Sequence, residues 1–181
     1  MNFDEIIDRR GTHSDKWDMM EAKYGVSPED GIAMWVADMD FRAPPQVVKT
    51  AQKEAGFGNY GYAKAHTGLI DSVINHCKAQ YNWNVDPKWL VWLPGMVCAL
   101  NVCCRMQQNQ ARQALTHTPV YPPFLSAPGN FDLQCTHLAL KLEGNRFTMD
   151  FDLMDKTSTQ PGDLFMLCHV AGGSGVDKPG A

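Results

Sequence analysis

Thr118-Pro119-Val120-Tyr121-Pro122-Pro123-Phe124 sets one phenol ring among three prolines. Each proline fixes φ and removes a backbone donor, so the segment is stiff and cannot continue a sheet ladder. The residues just before it, Leu115-Thr116-His117, have strand composition. Open α/β sheets bind ligands at the carboxyl ends of their strands, and a pinned Tyr121 there is a stacking surface for a flat cofactor. The same residues also read as a proline-rich turn whose tyrosine packs on the core. A second feature is Pro94-Gly95-Met96, which ends an apolar run, Trp89 to Leu93, and opens a helical pattern. The first N–H groups of a helix lack partners and sit at its positive end, a setting for an anion. An ordinary strand-to-helix turn has the same composition.

Other chemistries find less support. Six histidines (His13, His66, His76, His117, His137 and His169) show no i, i+4 pair and no carboxylate cluster, so no metal site is expected. Cys77, Cys98, Cys103, Cys104, Cys135 and Cys168 form no matched Cys-x-x-Cys pairs and read as reduced thiols. Cys103 and Cys104 are neighbours, which a helix points about 100° apart. No Gly-x-Ser-x-Gly elbow occurs.

Composition bounds the class. With 181 residues, 44% hydrophobic and 20% charged, the chain has the content of roughly one ordinary globular domain. A net charge of −4 without any Lys/Arg cluster gives no footprint for nucleic acid. The acidic start carries no secretory pattern, and no apolar run nears the roughly 20 residues that span a bilayer. A soluble, cytoplasmic protein is the expectation.

These features need elements to hold them. Residues 1–42 read as a polar N-terminal arm with a short strand, Ile32 to Val36. A helix is predicted from Pro45 to about Ala55, with Val47, Val48 and Ala51 on its inner face. A Gly- and Tyr-rich loop, Gly56 to Tyr62, precedes a helix over Thr67 to Tyr81. Trp89–Leu93 reads as a strand and Met96 to about Gln108 as a helix. Strands follow at Leu115–Thr118, near Leu133 to Leu140 and at Leu164–Cys168, with a short helix over Asp150 to Lys156. This alternation predicts an α/β layered domain on a largely parallel sheet. Residues 43–169 are expected to form it. Residues 170–181 are Gly-rich without periodicity and read as an atypical tail. A final strand leading straight into such a tail suggests a sequence cut short.

Taken together, the motifs resemble a known family. Arg10-Gly11-Thr12-His13-Ser14-Asp15-Lys16-Trp17, Met34-Trp35-Val36-Ala37-Asp38-Met39-Asp40-Phe41, Tyr60-Gly61-Tyr62 and Thr118 to Phe124 resemble, in order and spacing, the N-terminal half of aminotransferase-like carbon–sulfur lyases. These are fold-type-I enzymes of the class I/II aminotransferase superfamily, with cystathionine β-lyase as the best-known activity. The resemblance implies an incomplete large domain of the pyridoxal-phosphate-dependent transferase type. It implies pyridoxal 5'-phosphate as cofactor, a small amino-acid substrate and a homodimer in the complete enzyme. Tyr121 would stack on the pyridine ring. The N–H groups of Met96 and Val97 would hold the phosphate, and Tyr62 would reach the phosphate of the neighbouring subunit. Trp35 to Asp38 would line the substrate side.

The resemblance also implies what to look for elsewhere. In the family, the lysine that binds the cofactor covalently, the carboxylate at the pyridinium nitrogen and the arginine for the substrate carboxylate lie in the second half. No catalytic residue is therefore assigned in this chain; neither Lys16 nor Lys178 has the setting of a stand-in. After His169 the family continues with an Asn-Pro-x-Gly loop, whereas this chain reads Val170-Ala171-Gly172-Gly173-Ser174-Gly175. Gln107 to Gln113 replaces a Gly-Asp turn, which leaves the register of the next strand open. The expected function is a truncated β-lyase, inactive by itself. The alternatives are a piece of an aminotransferase and a non-catalytic pseudogene product.

Overall fold

The computed structural model describes residues 2–110 and 112–169. The expectations for residues 170–181, Lys178 included, lie outside the described residues. The chain divides into two compact units, one reaching to Thr67 and one starting at Gly68, whereas the sequence placed a boundary near residue 42.

The second unit is organised by strand β1, Gln113–Thr118. Ala114, Leu115, Thr116 and His117 are all buried, although successive side chains point to opposite faces. A strand buried on both faces belongs in the middle of a parallel sheet. It pairs in parallel with β2, Gln134–Ala139, on one side and with β5, Leu164–Met166, on the other. The register left open by the sequence sets Gln113 opposite Gln134 and Thr116 opposite Met166. On one face, Ala114 and Met166 pack with Cys104, Ala127 and Leu133, with Leu100 and Phe124 beside them. Cys104 belongs to helix α5, Met96–Gln107, and Ala127 to helix α6, Pro123–Gly129. Two helices thus cover this face.

The start of the sheet is pinned by a polar network. Buried Gln113 donates through Nε2 to Ser158 O and Asp163 Oδ2, each at 2.8 Å, and accepts from Thr136 Oγ1 at 2.6 Å. Between β2 and β5 run a hairpin, β3 Lys141–Glu143 with β4 Arg146–Thr148, and helix α7, Phe151–Lys156. Asp150 caps α7 by accepting from the Leu153 N–H at 2.9 Å.

Helix α3, Pro45–Phe57, and helix α4, Thr67–Tyr81, form where the periodicity predicts them. Val47 and Val48 nevertheless stay exposed, and neither helix has a buried residue. Two predicted strands are absent. Ile32 to Val36 has no ladder partner, and Trp89 to Leu93 follows a 3-10 turn, Pro87–Trp89, without pairing. Apolar content suits a strand, but only a neighbouring edge makes one. The first unit holds two short helices, α1 Asp15–Asp18 and α2 Met20–Tyr24, besides α3.

His117 is 3% exposed, on the face opposite the α5 and α6 packing, with its ring edge-on to Phe165 at 5.4 Å. Burial pushes its pKa down, and a Leu138 backbone bond opposes this more weakly. An unfolded histidine, with a pKa near 6.5, takes up a proton that the folded one resists, so below that pH the unfolded state binds more protons. The second unit should therefore lose stability as pH falls from 7 to 5. His117→Leu should flatten that slope in a series of urea midpoints; an unchanged slope would show that His117 does not set it.

Candidate functional site

The start of α5 is shaped by Gly95, at φ 150° and ψ 163°, a region that side chains with a Cβ rarely enter. Nothing lies within 4 Å of where a Cβ at Gly95 would sit. The helix ladder begins with the Ala99 N–H donating to Gly95 O at 3.0 Å. The N–H groups of Met96 and Val97 precede it and are free of intrahelical partners. Both residues are exposed. An anion can approach this backbone closely.

Tyr121 lies just past the carboxyl end of β1, half exposed. The Thr118–Pro119 peptide is cis. Beyond Tyr121 the prolines do more than stiffen a turn, because Pro123 occupies the first turn of α6, where its missing N–H is harmless. The Phe124 N–H donates to Tyr121 O at 3.0 Å and ties the tyrosine backbone to that helix start.

Helices joined to β1 by short links and packed on its face run antiparallel to it. The starts of α5 and α6 therefore lie at the carboxyl end of the strand. Asn130, at the end of α6, donates through Nδ2 to Asn101 Oδ1 at 2.8 Å. That bond ties the end of α6 to the middle of α5. Met96, Val97 and Tyr121 thus share one end of the second unit. Tyr62 belongs to the first unit, on an open loop, and is fully exposed.

The Trp35 to Asp38 segment lies in the first unit and is held by charges. Lys16, 6% exposed, donates to Asp38 O at 2.8 Å and to Asp40 Oδ2 at 2.6 Å. The Trp17 indole donates to Asp40 Oδ1 at 3.0 Å. Arg9 pairs with Asp38 at 2.8 Å. The Lys16 hydrogen bond, followed by that of Trp17, holds the Asp40 carboxyl below its usual range, and Arg9 does the same for Asp38. The Trp35 indole donates to Lys16 O at 2.9 Å, and its ring lies edge-on to Tyr24 and under the Lys23 ammonium. The sequence shows Trp17 and Asp40 only as parts of motifs, and Lys16 as a motif residue and a rejected stand-in for the cofactor lysine. The signal available was a lysine and a tryptophan side by side, with two carboxylates further along the chain. Among the described residues no group of three or more His, Cys, Asp or Glu is placed to hold a metal.

The α/β unit, with helices packed on a parallel sheet, has the pyridoxal-phosphate-dependent transferase-like fold of the solved structures it superposes on. No family model matches the chain. The chain is 33% identical to cystathionine β-lyase PatB of Bacillus subtilis over 97% of its length, and covers 45% of that protein. A PLP-bound putative aminotransferase from Clostridium difficile superposes with a TM-score of 0.76 at 31% identity, over 86% of this chain and 40% of that one. Cystalysin from Treponema denticola, which contains pyridoxal 5'-phosphate, gives a TM-score of 0.80 at 25% identity, over 90% of this chain and 41% of its own. The relatives of this chain are thus cystathionine β-lyases and pyridoxal-phosphate-dependent carbon–sulfur lyases and aminotransferases, as its motifs implied. It spans less than half the length of those it matches.

The residues present fit part of that cofactor. The open backbone at Gly95 with the N–H groups after it suits a phosphate, and the half-exposed ring of Tyr121 lies at the same end. Gly95→Ala should cost the second unit about 1–3 kcal/mol, because the backbone and not the space forbids a side chain. A lowered urea midpoint checks this; an unchanged midpoint would mean that the backbone there relaxes freely.

Proposed function

We propose that this chain is the cofactor-holding N-terminal part of a pyridoxal-phosphate-dependent carbon–sulfur β-lyase. The observation that supports it most is the 33% identity to the Bacillus subtilis cystathionine β-lyase across 97% of this chain. In the complete enzyme the reaction would be α,β-elimination of a thiol from cystathionine or a related cysteine conjugate. The cofactor, when bound, supplies the electron sink for that chemistry.

The chain's own residues bind and orient. The Met96 and Val97 N–H groups, at the positive end of a 12-residue helix, take the phosphate. The Tyr121 ring sets the plane of the pyridine. Tyr62 reaches the phosphate site of a neighbouring subunit in a homodimer. Trp35 to Asp38 bounds the substrate side. None of these groups moves a proton or forms a bond to substrate. Lys16, the lysine of the N-terminal motif, already donates to Asp38 O and Asp40 and is no free nucleophile.

A second reading, part of an aminotransferase, draws support from the Clostridium difficile neighbour, whose likeness to this chain is of the same order. Both readings share the cofactor and the residues that hold it. The groups that separate elimination from amino transfer are not among those assigned in this chain.

The purified chain, given cystathionine and pyridoxal phosphate, should release no pyruvate above the blank, and should keep no cofactor after borohydride treatment and dialysis. Turnover would overturn the inactive reading. The coding DNA past residue 169, read in all three frames, tests the truncation on which the lyase and aminotransferase readings both rest. An Asn-Pro-x-Gly continuation followed by a Ser-x-x-Lys-like segment supports it, and their absence from every frame opposes it.

A further inference from the structure

Lys16 is the one buried ionic side chain among the described residues, and all of its assigned bonds go to a single stretch of chain. It fastens Asp38 and Asp40, and Arg9 adds a bond to Met39 O at 3.3 Å. At the other side of the stretch, the Trp35 indole returns to Lys16 O. The only residues left between these anchors are Val36 and Ala37. There the Asp38 N–H donates to Val36 O at 2.8 Å, which closes a three-residue turn. Val36, the first residue of this turn, takes φ 60°. A β-branched residue at positive φ is a true outlier, and such strain persists only where its surroundings hold it. Val36, Ala37 and Met39 are exposed, so the strain does not come from packing into a core.

We propose that Lys16 is a positioning residue: its ammonium holds Val36-Ala37-Asp38 in a strained turn, the conformation in which that segment meets an amino-acid ligand. The second clause rests on the substrate-side reading given above; the holding of the turn does not. A plain surface ion pair would leave the turn free to relax and would be indifferent to the residue at position 36. A clamp couples the two positions.

The test is a double-mutant cycle on the 181-residue chain with Lys16→Met and Val36→Gly, read as urea midpoints at pH 7. Glycine adopts positive φ without penalty. Val36→Gly should therefore shift the midpoint more favourably in the parent chain than in the Lys16→Met background, where the strain has already been released. By NMR, the Asp38 amide should exchange at least about tenfold faster in Lys16→Met than in the parent, as expected when a local opening becomes easier. If Lys16→Met does not fold, Asp40→Asn, which removes the ammonium's ionic partner, takes its place in the cycle. Equal shifts in the two backgrounds, or unchanged Asp38 exchange, would overturn the clamp. The cycle needs neither cofactor nor substrate, so its failure leaves the lyase reading standing, and failure of the reading-frame test leaves the clamp standing.

Discussion

The second unit depends on the parallel pairing of β1 along both of its edges. Parallel ladders need crossovers, and crossovers place helices on the faces of the sheet. Here the crossover from β1 to β2 is α6, and α5 packs beside it on the same face. Once those helices run antiparallel to the strand, their unpaired N–H groups must gather at its carboxyl end. The Gln113 and Asp163 network occupies the opposite end, where it fixes the start of the sheet. One end of the unit is therefore tied by its own side chains, and the other offers donors to a ligand.

The first unit is held differently. Its buried apolar residues are few, Met20 and Ala33 among them, and the bonds that span it in sequence are ionic or come from indoles. Exposed ion pairs contribute little stability, and a buried ammonium costs desolvation that its partners only offset. What such a network supplies is one defined arrangement, since an unpaired Lys16 would be penalised in any alternative. A turn with Val36 at positive φ is a place where that definition is needed.

Much of the architecture was legible in the sequence, and the misses share a cause. The helices α3, α4 and α5 were predicted within a residue or two, because periodicity and Pro or Gly at their ends are local signals. The strands β1, β2 and β5 were legible as β-branched or apolar runs between turns. Ile32 to Val36 and Trp89 to Leu93 carry the same composition without becoming strands, since composition is silent about a partner edge. The reverse holds for the hairpin β3 and β4, whose short and largely polar strands form around Gly144 and Asn145 and gave no apolar run. Helix α6 was hidden because three prolines read as a stop, although one of them begins a helix. Of the site, Gly95 and Tyr121 were visible as local chemistry. The Lys16 clamp was not, because its partners lie 22 and 24 residues away.

That division bears on how the work of such an enzyme is shared along a chain. Holding a phosphate needs backbone donors at a helix start, and holding a ring needs a flat side chain at a strand end. Both are consequences of local sequence on a βα frame, and the residues proposed for them lie between 95 and 121. Covalent chemistry with an amine needs a lysine whose surroundings lower its pKa, which takes a finished pocket. The buried Lys16 is committed elsewhere, since its ammonium donates to the Asp38 carbonyl oxygen and the Asp40 carboxylate. That geometry is an anchor for the Asp38 to Asp40 stretch.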